Sequence, residues 1–226
     1  MIIEKLQSVD STNKYIEKYV KGRENAVVCA ETQTGGMGTK GRSFSSEKGG
    51  LYVSRLTFYS DLAATDCYKI NVNAAMAVVK TLLAYGIKPA IKWPNDVLAN
   101  GKKICGILIK NGISGNKIDY SIVGTGLNVN NVLPPELSGI ATSMKEIAGK
   151  EFDLDGVFLT FNLNASTNSS IDEYKKFSAV IGKEITVTRG ENVYKAFCED
   201  ILPDGRLLLG SGELLSSAEV DLKIKL

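Results

Sequence analysis

The sequence predicts an α+β protein in which a mixed or antiparallel sheet packs with helices and a small all-β region follows. One long stretch of helical periodicity, 69–85, carries its apolar residues on one face and ends at Gly86. Short apolar segments separated by turn signals come after it, which is typical of antiparallel strands rather than of repeating βαβ units. From Ile181 the chain contains only short strands and turns. We therefore expect two domains, 1–180 and 181–226.

Local signals place the individual elements. Asp10, Ser11 and Thr12 are favourable N-cap residues, and the apolar residues after them have helical spacing, which predicts the first helix. Asn100-Gly101 between two apolar segments predicts a hairpin. In the first domain the expected helices are 12–21, 69–85 and two within 155–180 that are separated at 162–170, and the expected strands are 26–30, 51–58, 90–93, 97–98, 104–109 and 119–129. In the second domain the expected strands are 185–188, 193–201, 206–209 and 220–224.

Composition excludes several kinds of chemistry. The 226 residues include no histidine, so a Ser-His-Asp triad, a Cys-His pair and a His-ligated metal are ruled out. The net charge is only +2, which is not the electrostatic footprint of a protein that reads duplex DNA. The four cysteines form no CxxC pair, and the first residues lack a signal-peptide pattern. Because no apolar stretch is long enough to span a bilayer, we expect a cytoplasmic protein that does not enter the membrane.

A glycine-rich loop, 31–50, holds the first candidate site. Its segment GMGTKG, 36–41, fits the GxGxxG pattern of dinucleotide-binding folds. That pattern requires a helix directly after the loop, whereas RSFSS at 42–46 and two further glycines follow here. The sequence therefore indicates a loop that brings backbone N–H groups, Lys40 and Arg42 close to an anion. A surface loop without a ligand is the alternative.

Three further motifs combine polar residues with turns or glycines. KWPNDV, 92–97, presents an amide and a carboxylate on a turn after a strand, although turn chemistry alone would also explain it. Lys103 opens an apolar strand beside Cys105-Gly106, where it is either a solvated hairpin end or a point charge for a phosphate or carboxylate. GTGLNVN, 124–130, allows close backbone approach and places two amides on one strand face, or else it marks a β-bulge.

Together and in this order, these motifs resemble those of the biotin protein ligases. The resemblance rests on Ser11-Thr12-Asn13, Gln33, the glycine loop, KWPNDV with Lys103 eleven residues after Lys92, and GTGLNVN. The stretch 212–219 is similar to the end of that family's C-terminal domain, so the resemblance covers nearly the whole chain. It implies a class II synthetase-like catalytic domain followed by a small SH3-like β-barrel.

The resemblance implies an ATP-dependent ligase. Family members form biotinyl-5′-adenylate from biotin and MgATP, and then transfer biotin to one lysine of a biotin carboxyl carrier domain. The implied catalytic residues are Lys40, Arg42 and Lys103, with the magnesium ligands unassigned. The implied biotin-binding residues are Ser11, Thr12, Asn13, Gln33, Gly36, Met37, Gly38, Thr39, Trp93, Lys103 and Gly106. The implied ATP-binding residues are Lys40, Arg42, Asn95, Asp96, Lys103 and Asn128.

The sequence also departs from the family pattern. Met37 and Thr39 stand where arginines are usual, Phe44 stands where Trp is frequent, and Ser217 stands where an Arg is expected. Only ten residues precede Ser11, which leaves no room for a DNA-binding domain, so we expect no specific DNA binding. A homodimer is compatible with the sequence. Two other functions remain open: a lipoate or octanoyl ligase or transferase of the same fold, and a binding module that has lost turnover.

Overall fold

Seven strands form the larger of two sheets. The computed structural model describes residues 1–216 and 219–222, without the side chains of 40, 219, 221 and 222. The strands are β1 (Ile2–Val9), β2 (Ala26–Gln33), β3 (Leu51–Ala63), β4 (Pro89–Lys92), β5 (Asp96–Ala99), β6 (Lys102–Ser114) and β7 (Lys117–Leu127), in the spatial order β1-β2-β3-β7-β6-β5-β4. β1 and β2 are parallel and the other neighbours are antiparallel, so the sheet is mixed.

Helices cover this sheet unequally. They are α1 (Thr12–Tyr15), which continues as a 3₁₀ turn (Ile16–Tyr19), α2 (Cys67–Ala84), α3 (Met144–Ala148), α4 (Leu154–Asn164) and α5 (Ile171–Lys176). α2 is rich in buried Ala and Val, and it packs with α4 and α5 on one face of the sheet, where most of the core lies. A smaller core around Ile16 lies on the other face. That second face is only partly covered, which leaves space for a pocket beside α1. Within the described chain, no helix combines the length and the apolar character needed to cross a bilayer.

A smaller antiparallel sheet completes the fold. Its strands are β8 (Lys183–Arg189), β9 (Asn192–Ile201), β10 (Leu207–Leu209), β11 (Leu214–Leu215) and β12 (Glu219–Leu222), in the order β11-β10-β9-β8-β12. Its buried apolar side chains join the main core without a break. Two polar contacts also link the sheets: the Trp93 indole N–H donates to the Gly205 carbonyl oxygen at 3.0 Å, and Lys175 lies 2.6 Å from Asp200.

The α+β class predicted from the sequence is confirmed, as is the interruption between the two helices within 155–180. Strand β1 was not predicted, although its half-buried alternation is typical of a sheet edge. β6 runs further than the expected strand 104–109, and β7 begins and ends two residues before the expected strand 119–129, because antiparallel pairing continues up to Ser114 and Lys117. The turn itself is short and contains Gly115, whose φ of +59° suits glycine. Ser217, one of the departures from the family pattern, lies outside the described residues.

Candidate active site

A pocket opens on the partly covered face of the large sheet, where the start of α1 meets β2, β5, β6 and β7. Its position explains why residues distant in sequence come together: they lie at the start of α1, in the loop after β2, at a strand end or on a strand that crosses the pocket floor. The lining residues are Ser11, Thr12, Asn13, Gln33, Met37, Gly38, Thr39, Phe44, Asn95, Asp96, Lys103, Gly106, Ile107, Leu108, Gly124, Thr125 and Gly126.

One end of the pocket, which we call the neutral end, consists of Thr12, Asn13 and Gln33 with the serines Ser46 and Ser54. The Gln33 amide is held on both sides, because its Oε1 accepts from the Thr12 backbone N–H at 2.9 Å and its Nε2 donates to Ser46 Oγ at 2.8 Å. Ser54 Oγ lies 2.8 Å from Thr12 Oγ1 and 2.5 Å from Asn13 Oδ1. The neutral end is therefore a fixed array of uncharged donors and acceptors, which suits a compact polar ligand group.

The opposite end, the charged end, consists of Asp96 and Lys103 together with Lys92, which lines the adjoining cleft. Asp96 opens β5 and pairs in register with Gly106 of β6, three residues beyond Lys103. This pairing brings Lys103 Nζ to 2.7 Å from Asp96 Oδ1, while Lys92 Nζ lies 3.7 Å from Asp96 Oδ2. The Lys103 side chain is 37% exposed, so its ammonium group is both oriented by Asp96 and accessible to an anion. The charged end can thus neutralise a carboxylate or a phosphate.

Asn95 fixes the turn that carries the charged end. Its Nδ2 donates to the Ile107 carbonyl oxygen at 2.6 Å, and the Ile107 N–H donates back to the Asn95 carbonyl oxygen at 3.1 Å. This reciprocal pair joins the KWPNDV turn to β6. The side-chain amide of Asn95 therefore already has a structural partner within the pocket wall.

Glycines on β6 and β7 flatten the pocket floor. Gly106 and Gly126 lie opposite each other in the β6–β7 register, and the Phe44 ring rests on both. A Cβ added at Gly126 would come within 2.5 Å of that ring, so only glycine permits this approach. The floor is consequently bare backbone, on which either an aromatic ring or the apolar part of a ligand can lie.

The loop that carries the GMGTKG motif folds over the pocket as a closed hairpin. The Gly38 N–H donates to the Arg42 carbonyl oxygen at 2.7 Å, and the Phe44 N–H donates to the Gly36 carbonyl oxygen at 2.9 Å. Thr39 lines the pocket, and its Oγ1 lies 3.4 Å from Arg42 Nη2. Arg42 itself lines a wider adjoining cleft rather than the pocket. For Lys40 the structure describes only the backbone.

The wider cleft lies between the charged end and the small sheet. It shares Lys103, Asp96, Asn95 and Phe44 with the pocket and also reaches Arg189. Further cleft-lining residues come from the small sheet and its turns: Thr188, Gly190, Ile201, Asp204, Gly205, Arg206, Ser216 and Val220. A ligand that extends from the pocket would therefore pass over the charged end into a space bordered by both sheets.

Three predicted site residues are placed differently from expectation. Trp93 lines the wider cleft rather than the pocket: it is 3% exposed, and its indole N–H donates to the Gly205 carbonyl oxygen, because it points from the turn towards the small sheet. Gly36 also stays outside the lining, since the Phe44 carbonyl oxygen and Ser46 Oγ fill the space beside it. Asn128 borders the cleft, but its side-chain amide donates to the Thr142 carbonyl oxygen at 3.0 Å and accepts from Asn131 at 3.1 Å.

Sequence reasoning did not identify Ser46, Ser54 and Thr125. All three are buried polar residues, and Thr125 lies on the pocket floor between two glycines. A lone serine within an apolar strand carries no distinctive spacing, so no signal for Ser54 existed in the sequence. For Thr125 the GTGLNVN motif was a usable signal, since it places the backbone of this residue between two glycines that allow close approach.

Comparisons with known proteins agree with this arrangement. The bifunctional ligase/repressor BirA of Bacillus subtilis (strain 168) is 40% identical over 139 residues, which are 59% of this chain and 42% of that protein. The biotin--[acetyl-CoA-carboxylase] ligase of Paracoccus denitrificans is 36% identical over 128 residues, 55% of this chain and 53% of that protein. The matches thus span about half the length of these curated relatives.

Solved structures match over nearly the full chain. The biotin protein ligase from Aquifex aeolicus in complex with biotin and ATP superposes with a TM-score of 0.77 at 26% identity and covers 97% of both chains. The biotin/lipoate A/B protein ligase family model matches residues 6–128, which include the α1 start, the glycine loop, KWPNDV and Lys103. The chain belongs to the biotin/lipoate A/B protein ligase family.

Proposed function

We propose that this protein is a biotin–[acetyl-CoA-carboxylase] ligase that makes biotinyl-5′-AMP from biotin and ATP and transfers biotin to a lysine of a biotin carboxyl carrier domain. The observation that carries the proposal is the single pocket with an uncharged hydrogen-bonding array at one end and the Lys103–Asp96 pair at the other. Biotin has the same two ends, a neutral ureido ring and a carboxylate. The solved Aquifex aeolicus relative, a complex with biotin and ATP, supports this choice of substrates.

In the first step, a carboxylate oxygen of biotin attacks the α-phosphorus of ATP, a new P–O bond forms, and the bond to pyrophosphate breaks. Lys103 is in position to hold positive charge beside both the carboxylate and the α-phosphate, so it lowers the repulsion between two anions. Asp96 orients the Lys103 ammonium group. The step requires positioning and charge stabilisation rather than a titrating base, which agrees with a sequence that lacks histidine.

In the second step, the neutral amine of the carrier lysine attacks the acyl carbon of the adenylate. The C–N bond forms, the C–O bond to AMP breaks, and the proton of the amine passes to water. The open side of the wider cleft, bordered by Arg42 and Arg206, is the route by which this lysine would enter. We infer that Phe44 and the hairpin loop cover the adenylate until then.

The nucleotide would extend from the charged end into the wider cleft. Asn95 and Asn128 both border this cleft, but their side-chain amides are bound to backbone carbonyl oxygens. We therefore propose that both shape the walls of the nucleotide site, and that Lys40 and Arg42 from the loop supply its positive charge.

The described residues do not form a magnesium site by themselves. Among the described residues no three Asp, Glu or Cys side chains cluster as metal ligands. The carboxylates that border the cleft are those of Asp96 and Asp204, and each is paired with a cation, Asp96 with Lys103 and Asp204 with Arg206. Magnesium is commonly carried by substrate phosphates, so the ion of MgATP would arrive with the nucleotide.

We propose that the protein works in a reducing compartment such as the cytoplasm, without binding a specific DNA sequence. In support, Cys29, Cys67, Cys105 and Cys198 are all free thiols. Burial raises the pKa of the Cys29 thiol to about 11, which keeps this half-buried side chain protonated and unreactive. Whether a dimer forms is to be measured by sedimentation with and without biotin and ATP.

One experiment separates the candidate functions. The full chain is incubated with ATP, magnesium, a carrier domain and either biotin or lipoate, and the carrier is then weighed by mass spectrometry. We expect one added biotin per carrier and no added lipoate. Addition of lipoate instead would identify a lipoate ligase, and an unmodified carrier in both reactions would identify a binding module without turnover.

A further inference from the structure

Ser54 lies behind the pocket rather than in its wall. It sits in the middle of β3 and is fully buried. Its hydroxyl oxygen is 2.8 Å from Thr12 Oγ1 and 2.5 Å from Asn13 Oδ1, and both of those residues line the pocket. In the β3–β7 register Ser54 pairs with Gly124, and the Asn13 amide lies against this glycine. The missing side chain at Gly124 thus provides the space in which Asn13 reaches Ser54.

The hydrogens in this cluster can be assigned by counting donors. Ser54 has one hydroxyl hydrogen, and Asn13 Oδ1 can only accept, so the short contact between them uses the Ser54 hydrogen. The Thr12 hydroxyl donates its own hydrogen to Gln33 Oε1 at 3.0 Å, so Thr12 Oγ1 acts as an acceptor in its contact with Ser54. Gln33 Oε1 also accepts from the Thr12 backbone N–H at 2.9 Å. The Ser54 hydrogen is therefore shared between Asn13 Oδ1 and Thr12 Oγ1, and the Thr12 hydrogen points to Gln33.

This direction decides what the pocket offers to a ligand. Because the Thr12 hydrogen points to Gln33 and one lone pair of Thr12 Oγ1 accepts from Ser54, the second lone pair is available as an acceptor. Because Asn13 Oδ1 is bound to Ser54, the Asn13 Nδ2 group remains as a donor, and within the described chain it forms no hydrogen bond. An acceptor and a donor side by side match a ureido group, which has N–H donors beside a C=O acceptor.

We propose that Ser54 is a positioning residue that sets the hydrogen-bond direction of Thr12 and Asn13 and thereby makes the pocket selective for the ureido ring of biotin. The inference rests on the proposed function. Without the Ser54 hydroxyl, Thr12 Oγ1 loses a hydrogen-bond donor and the Asn13 amide can rotate, so the pair no longer presents a fixed acceptor and donor to the ligand. A buried polar group left without a partner also weakens binding.

The test compares Ser54→Ala with Ser54→Thr, which keeps a hydroxyl, and with Ser121→Ala. Ser121 is a matched control because it is a fully buried strand serine that bonds to Tyr59 at 2.9 Å outside the pocket. For each full-length variant, biotin-dependent pyrophosphate exchange gives kcat and the KM values for biotin and ATP. Calorimetry with biotin alone gives Kd, and thermal melting reports folding.

For Ser54→Ala we expect the biotin KM and Kd to rise about tenfold, whereas kcat and the ATP KM stay within about twofold. Ser54→Thr should stay within about threefold of wild type, and Ser121→Ala should leave the biotin KM unchanged even if it lowers the melting temperature equally. Equal biotin KM values for Ser54→Ala and Ser121→Ala would overturn the inference. So would a parallel loss of kcat and ATP affinity in Ser54→Ala.

The two proposals fail in different ways. A wild-type chain that binds biotin without releasing pyrophosphate would refute the proposed function, while the calorimetric Kd values would still decide the role of Ser54. A wild-type chain that does not bind biotin would refute both proposals.

Discussion

The two ends of the pocket are built in opposite ways. The neutral end is assembled from α1, β2 and β3, whose residues Thr12, Gln33 and Ser54 lie 21 to 42 positions apart in sequence, and its hydrogen bonds join uncharged groups that are largely buried. The charged end is assembled from two adjacent strands, β5 and β6, and holds an ion pair whose lysine is 37% exposed. Fixed neutral groups discriminate between ligands, whereas an accessible charge responds to charge that develops during reaction. Under the proposed function, recognition and chemistry are thus separated along one pocket.

If recognition and chemistry are separated in this way, removal of the Lys103 side chain will lower the rate of adenylate formation far more than it weakens biotin binding. We expect Lys103→Ala to lower adenylate formation by about 10²–10³-fold, because one electrostatic contact to the transition state is lost. The Kd for biotin should change by less than about threefold, since the neutral end remains. Pyrophosphate exchange and calorimetry measure the two quantities.

Lys102→Ala is the matched control for this variant, because Lys102 is the preceding residue but donates to the Ser138 carbonyl oxygen at 2.7 Å, away from Asp96. It should retain nearly full activity. Normal pyrophosphate exchange by Lys103→Ala would eliminate the proposed role of the charged end.

The neutral end should show the reverse pattern. Gln33→Ala removes the acceptor for the Thr12 N–H and the donor to Ser46, so both partners lose a hydrogen bond. We expect the biotin KM to rise about tenfold with a much smaller change in kcat. Gln7→Ala, on the exposed face of β1, serves as the control. A fall in kcat as large as that of Lys103→Ala would contradict the assignment of biotin binding to the neutral end and of the reaction to the charged end.

The two ends also differ in how far the sequence could predict them. The charged end follows from a contiguous motif and a lysine a few residues away, and the local hairpin geometry brings them together. The neutral end depends on long-range pairing of β3 with β7, so residue reasoning alone could not place it, and the resemblance to a family supplied Thr12, Asn13 and Gln33. Ser54 was missed for the same reason, since its partners are 41 and 42 positions away.

Trp93 lines the wider cleft and not the pocket. The resemblance implied that Trp93 binds biotin, and this stays a prediction, but at the end of a strand consecutive side chains point to opposite sides. The indole therefore faces the small sheet, where its N–H meets the Gly205 carbonyl oxygen at 3.0 Å. The KWPNDV motif thus pointed to the surroundings of Trp93, whereas the alternation of side chains along the strand determines where its indole points.

The contact between Trp93 and Gly205 offers a smaller test, because it connects the charged end to the small sheet and leaves the neutral end untouched. Trp93→Phe keeps an aromatic ring but removes the N–H donor. We expect the melting temperature to fall by about 2–4 °C, which corresponds to about 1 kcal/mol in a chain of this size. The ATP KM should rise about threefold, while the biotin KM stays constant. If only the biotin KM changed, the result would instead indicate that Trp93 contacts biotin.

The smallest expected effect concerns the loop that passes over both ends. An acyl-adenylate is reactive and anionic, so it persists only where water is excluded and positive charge is fixed. Met37 and Thr39 replace two arginines that are usual in the family, and Met37 remains 46% exposed. Thr39 lines the pocket with a hydroxyl and no charge. If the proposed function holds, we therefore expect this protein to retain the adenylate less tightly than relatives with the full arginine loop, and to release some of it to water or to lysines of bystander proteins.

Thr39→Arg should lengthen the residence time of the adenylate about threefold and reduce labelling of a bystander protein, because one charged donor added near the phosphate contributes less than about 1 kcal/mol at a partly exposed site. Release of adenylate formed from labelled ATP is followed for wild type, Thr39→Arg and Lys40→Ala. If Lys40 already compensates for the missing arginines, Lys40→Ala will accelerate release strongly and Thr39→Arg will change nothing. That pair of results would refute the weak retention predicted from Met37 and Thr39, and it would place the charge that holds the intermediate on Lys40.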